Sequence, residues 1–73
     1  MKKILIIEDN ADINNLIAEA LKKADYEYRQ AFSGTEGLFC VSSENFDLAV
    51  MDLMLPGMSG DELLPRLREK QDI

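Results

Sequence analysis

Seventy-three residues make one domain or part of one, and a chain this short buries a smaller share of its surface than a typical domain. Hydrophobic residues make up 47%, which argues against disorder; 14 acidic against 8 basic residues, a net charge of −6 with no basic block, argue against nucleic-acid binding. A single cysteine, Cys40, and no histidine rule out an internal disulfide framework and weigh against a zinc site.

The first element is Ile4-Leu5-Ile6-Ile7, a continuous apolar, β-branched run of strand length, of the kind a sheet covers on both faces. Met1-Lys2-Lys3 before it resembles the start of a signal peptide, but Glu8-Asp9 ends the apolar run far too early. No run approaches a membrane span, and the cysteine usage fits a reducing cytoplasm, so a cytoplasmic location is expected. Asn10 then offers an N-cap. Ile13, Leu16, Ile17, Ala20, Leu21 and Ala24 recur at helical spacing, with Asn14, Asn15, Glu19, Lys22 and Lys23 on the other face, which predicts a helix. No glycine closes it, and Asp25 is expected to take the left-handed position. Tyr26–Ala31 mixes aromatic and charged residues, as an edge strand does.

Ser33-Gly34-Thr35-Glu36 has capping-box spacing and opens a second helix through about Ser42. Gly37, Cys40 and Val41 make that helix poor by propensity, so it depends on tertiary packing. Cys40, among Leu38, Phe39 and Val41, reads as a small core residue rather than a nucleophile. The third strand is Leu48-Ala49-Val50-Met51, ending at Asp52. Leu55-Pro56-Gly57 forms a turn, and Ser59-Gly60-Asp61-Glu62 is a second capping box with Met58 and Leu63 placed as a hydrophobic staple. The last helix runs to about Glu69, with Pro65 expected to kink or loosen its middle. The basic groups, Lys2-Lys3, Lys22-Lys23 and Arg66 to Lys70, read as solvated termini and helix faces.

The order β-α-β-α-β-α implies an α/β fold with a parallel sheet. Sites in such sheets form beyond the carboxyl ends of strands. Glu8 and Asp9 follow one apolar strand and Asp52 ends another. Neighbouring parallel strands lie about 4.8 Å apart, so these carboxylates are placed to share one hard cation. An all-oxygen set without histidine favours Mg²⁺, with Mn²⁺ as a substitute. The cluster points to metal-assisted phosphoryl chemistry on an aspartate.

The segment Leu48-Ala49-Val50-Met51-Asp52-Leu53-Met54-Leu55-Pro56-Gly57-Met58-Ser59-Gly60 resembles the phosphorylation loop of response-regulator receiver domains, and Lys3-Ile4-Leu5-Ile6-Ile7-Glu8-Asp9-Asn10 resembles their first strand and acidic pair. The resemblance covers the whole chain, residues 1–73. It implies a truncated flavodoxin-like (βα)3 half of a doubly wound parallel sheet, because a receiver has five βα units and three are present. It further implies that Asp52 is a phosphoacceptor for a sensor histidine kinase, that Asp9, Asp52 and the backbone carbonyl of Met54 ligate a weakly held Mg²⁺, and that Glu8 acts through a metal-bound water. Such a domain belongs to a two-component system and is not itself an enzyme. The receiver's fourth-strand Ser or Thr, fifth-strand Lys and aromatic switch have no counterpart in this sequence, and Lys70, near the end of the third helix, does not replace the Lys. Impaired phosphorylation follows as an expectation. A haloacid-dehalogenase-like phosphotransferase would carry a second Asp two residues beyond the first, where this chain has Met54.

A second reading is a self-associating half-fold without phosphotransfer. In the receiver strand order the third strand loses its outer neighbour, so Leu48–Met51 becomes an apolar edge that invites pairing. The expected product is a two-fold homodimer with the third strands meeting antiparallel in a six-stranded sheet.

Overall fold

The computed structural model describes residues 2–52 and 54–71. Leu53, within the phosphorylation-loop segment, and the terminal Met1, Asp72 and Ile73 lie outside the described residues. Six elements alternate along the chain: β1 (Lys3–Ile7), α1 (Ala11–Lys23), β2 (Glu27–Ala31), α2 (Gly34–Ser43), β3 (Leu48–Met51) and α3 (Gly60–Lys70). The three strands form a parallel sheet in the order β2-β1-β3. Ile7 stands level with Ala31 on one side and Met51 on the other, so all three strands end together. The architecture is the expected (βα)3 arrangement, with β1 central and β2 at an edge.

Local chemistry explains the boundaries. Each helix opens on a side-chain oxygen that accepts from a backbone N–H of the first turn: Asn10 from Ile13, Ser33 from Glu36 and Ser59 from Glu62. Lys22 and Lys23 in the last turn of α1 complement its dipole. Asp25 has φ 63° and reverses the chain after α1, the role expected of it. Gly57 has φ 76° in the turn between β3 and α3. Helix α3 continues unbroken from Gly60 to Lys70 with Pro65 inside it, so the proline removes one backbone donor without ending the helix.

The sheet's two faces are filled differently. Leu5 and Ile7 of β1 pack with Ala31, Cys40, Val41, Phe46, Leu55, Leu63 and Leu67 into one core, joined by half-buried Leu38, Ala49, Met51 and Met58. Helices α2 and α3 enclose this face. Gly37 is what lets α2 approach: a Cβ there would lie 2.6 Å from Cδ1 of Ile7. The weak helix former expected to need tertiary packing is thus the contact point itself. Met58 and Leu63, the pair at staple spacing, both lie against Gly34. Gln71 ties the end of α3 to the end of α2, donating to the carbonyls of Val41 and Glu44 and accepting from the Phe46 N–H.

The opposite face carries α1 alone among the described residues, over β1 and β2. Here the structure corrects the expected helix face. The sheet-facing stripe is Asn14, Ile17, Ala18 and Leu21, and Asn14 is fully buried, not solvated. Ile13 is exposed and Leu16 is 66% exposed, because their stripe, one residue round the helix, has no neighbouring helix to cover it. Likewise Leu48 of β3 is 53% exposed and Val50 is exposed on this face. An apolar run reads as a strand covered on both faces, but β3 receives cover on one.

Candidate functional site

The parallel register brings the carboxyl ends of β1 and β3 side by side. The Asp52 N–H donates to the Ile7 carbonyl at 3.2 Å, extending the ladder by one step, and the Glu8 N–H donates to the Ala31 carbonyl at 3.0 Å on the other side. Side chains that leave the sheet here converge. Oxygens of Glu8, Asp9 and Asp52 all lie within 4.8 Å of one another. This is the trio the sequence places at the strand ends. Glu8 is 7% exposed and Asp9 is exposed.

Three carboxylates this close repel one another unless a cation or protons intervene. Among the described residues, the ion pairs are Lys3 with Glu44 and Arg29 with Glu44, and neither touches the trio. The donors that do reach it are backbone amides. The Asn10 N–H donates to Glu8 Oε2 at 3.3 Å, and the Met54 N–H donates to Asp52 Oδ1 at 3.0 Å. Met54 thus stands one hydrogen bond from Asp52, while its side chain is exposed. An all-oxygen donor set, open on the Asp9 side, fits a hard divalent ion such as Mg²⁺ or Mn²⁺ and fits zinc poorly. Glu8, Asp9 and Asp52 would hold it, with the backbone at Met54 alongside.

A residue absent from the sequence reading of the site is Asn14. Its Nδ2 donates at 2.9 Å to the carbonyl of Glu8 and at 2.9 Å to that of Ala31. The legible signal was its place in the 14/17/18/21 stripe, a lone carboxamide among apolar residues one turn after the acidic pair. Cys40 takes no part: it is fully buried in the core, where burial pushes its thiol above the ordinary range, Arg29 offsetting part of this and Glu36 adding to it. Among the described residues no helix is long and apolar enough to cross a membrane.

The geometry has close relatives. Residues 4–73 match the family model of the response regulator receiver domain. The transcriptional regulatory protein YrkP of Bacillus subtilis is 37% identical over 71 residues, which cover 97% of this chain and 30% of YrkP. The response regulator TrrA of Thermotoga maritima, solved in complex with Mg²⁺-BeF, superposes with a TM-score of 0.89 at 38% identity over 96% of this chain and 61% of that one. TrrA has also been solved in complex with the histidine kinase ThkA, with a TM-score of 0.89. The chain thus spans about a third of the length of YrkP and less than two thirds of TrrA. On the match of residues 4–73 and the sheet that carries it, this chain belongs to the response regulator receiver domains of two-component signalling.

Proposed function

We propose that Asp52 is the phosphoacceptor of this receiver domain and that a sensor histidine kinase is its donor. The observation that carries the proposal is the convergence of Glu8, Asp9 and Asp52 within 4.8 Å at the ends of two adjacent strands. In the transfer an Asp52 carboxylate oxygen forms the new P–O bond while the P–N bond of the phosphohistidine breaks, and the leaving imidazole takes a proton from solvent. Asp9, Asp52 and the Met54 carbonyl are the direct ligands proposed for Mg²⁺, with Glu8 acting through water. When bound, the ion offsets the repulsion between an anionic nucleophile and the incoming phosphoryl group. The Met54 N–H on Asp52 Oδ1 orients the carboxylate. That TrrA binds Mg²⁺-BeF and a histidine kinase supports both assignments. The domain serves as a signalling module and not as an enzyme, and a cytoplasmic setting suits its single buried thiol.

Among the described residues the sheet has three strands, so no fourth or fifth strand brings a Lys or Ser/Thr to Asp52, and loss of one such stabilising contact commonly costs ~10²-fold in rate. The chain should therefore label slowly. Incubation with a small phosphodonor and Mg²⁺, followed by mass spectrometry, is expected to show a slow gain of one phosphoryl group that chelation abolishes and Asp52→Asn removes. Labelling that survives Asp52→Asn would reject Asp52 as the acceptor.

The exposed β3 edge favours a second property, self-association. Leu48 and Val50 stand on an edge strand beside a hollow of about 520 Å³ that Ile4 and Leu21 also line. Two copies pairing β3 antiparallel would make one six-stranded sheet. Each copy carries a net charge of −6, so two copies repel. Salt screens that repulsion and should promote pairing. Light scattering after size exclusion is expected to show a dimer at tens of micromolar in physiological salt, and Ala49→Pro should weaken it. A folded monomer under those conditions would refute the dimer.

A further inference from the structure

We propose that Asn14 is a positioning residue for the acidic trio, acting by holding the Glu8–Asp9 peptide in place. This rests on the reading of Glu8, Asp9 and Asp52 as a cation site. Asn14 lies in the first turns of α1 and is 0% exposed, in a stripe otherwise filled by Ile17, Ala18 and Leu21. A buried carboxamide is costly unless its hydrogen bonds are made. All three polar directions of this one are engaged. Nδ2 donates at 2.9 Å to the Glu8 carbonyl and at 2.9 Å to the Ala31 carbonyl. Oδ1 accepts at 2.9 Å from Gln30 Nε2, which also donates at 2.8 Å to Asn15 Oδ1. The two carbonyls require Nδ2 on their side, so the amide has one workable orientation.

The position of these bonds distinguishes the clamp from ordinary packing. The β1–β2 ladder ends with Ile7 level with Ala31, and the Glu8 N–H still reaches the Ala31 carbonyl. The next carbonyl, that of Glu8, is taken by Asn14. That carbonyl belongs to the peptide whose N–H is that of Asp9, so fixing it fixes the plane from which the Asp9 side chain departs. On the far side, the Asn14 N–H donates to the Asn10 carbonyl at 2.9 Å, and Asn10 caps the helix. Asp9 is therefore suspended between two anchored residues, and Asn14 contributes to both anchors. Partners of this kind, one bond removed from the ligands, commonly change metal affinity by ~10-fold or more.

The test compares wild type with Asn14→Leu, which keeps the number of side-chain heavy atoms and removes the bonds, with Gln30→Met, which removes the donor to Asn14 Oδ1 together with its bond to Asn15 and leaves Asn14 itself in place, and with Val41→Ala, a core change on the opposite sheet face. Amide NMR well below each variant's melting temperature reads two things: Mg²⁺ affinity, and the shifts and exchange of the Asp9 and Asn10 amides without metal. Asn14→Leu is expected to weaken Mg²⁺ binding ~10-fold and to shift and deprotect the Asp9 and Asn10 amides. Gln30→Met should do the same more weakly, and Val41→Ala should lower the melting temperature alone. If Asn14→Leu does not fold, Gln30→Met decides by the same signs. Loss of stability with affinity and both amides unchanged overturns the proposal, as does an equal weakening by Val41→Ala. If wild type shows no response to Mg²⁺, the cation site fails, and the metal-free amides still decide whether Asn14 holds the turn.

Discussion

The two faces of the sheet are built from the same strands yet differ in what they demand of the sequence. On the face under α2 and α3, alternate residues Leu5, Ile7, Ala49 and Met51 meet Cys40, Val41, Leu63 and Leu67 in one packed core. On the other, Ile4 and Ile6 are buried with α1 beside them, while Leu48 and Val50, their neighbours on β3, are exposed. Strands β1 and β3 are apolar on both faces; the difference is in the helices available to cover them. Stability is therefore concentrated on one face, while the exposed apolar residues gather on the other.

That contrast has measurable consequences. The largest should come from the packed face. Leu67 is fully buried between α3 and the core, and Leu67→Ala is expected to cost about 2–5 kcal/mol of unfolding free energy in urea melts. Such a loss is a large fraction of what a domain of this size has. Gly37→Ala should cost about 1–3 kcal/mol, because the new Cβ meets Cδ1 of the fully buried Ile7 at 2.6 Å and either that side chain or α2 must shift. On the open face, Leu48→Ala should move stability by no more than about 0.5 kcal/mol, while shifting any dimer seen by light scattering toward monomer. An equal cost for Leu48→Ala and Leu67→Ala would remove the distinction between the faces. The smallest effect is chemical: Cys40, buried with its thiol pushed up, stays protonated at neutral pH and should alkylate far more slowly in the folded chain than in urea.

Much of this was legible in the sequence because local signals agreed with the fold. Asn10, Ser33 and Ser59 cap the helices they announce, Asp25 takes the left-handed turn, and the two strand-end acid groups meet because parallel pairing leaves no other place for them. The failures share a cause. Helical periodicity locates an apolar stripe, but Ile13 and Leu16 lie on one stripe and Ile17 and Leu21 on the next, and only the sheet decides which is buried. Polarity assigns Asn14 to solvent, whereas the Glu8 carbonyl just beyond β1 and the second lone pair of the Ala31 carbonyl at the end of β2 draw a carboxamide into the interior. The exposure of Phe39, next to buried Cys40 in α2, follows the same rule: a neighbour in sequence points to a different side of the helix.

In the proposed site, carboxylates from two strand ends form one cation-binding centre that includes Asp52. Paramagnetic line broadening by Mn²⁺, followed amide by amide, tests it most directly. Broadening should begin at Asp9, Asp52 and Met54 and be strongly reduced in Asp52→Asn. Broadening centred elsewhere, on the acidic first turn of α3 at Asp61 and Glu62 for example, or a response at Asp9 that Asp52→Asn leaves intact, would contradict it.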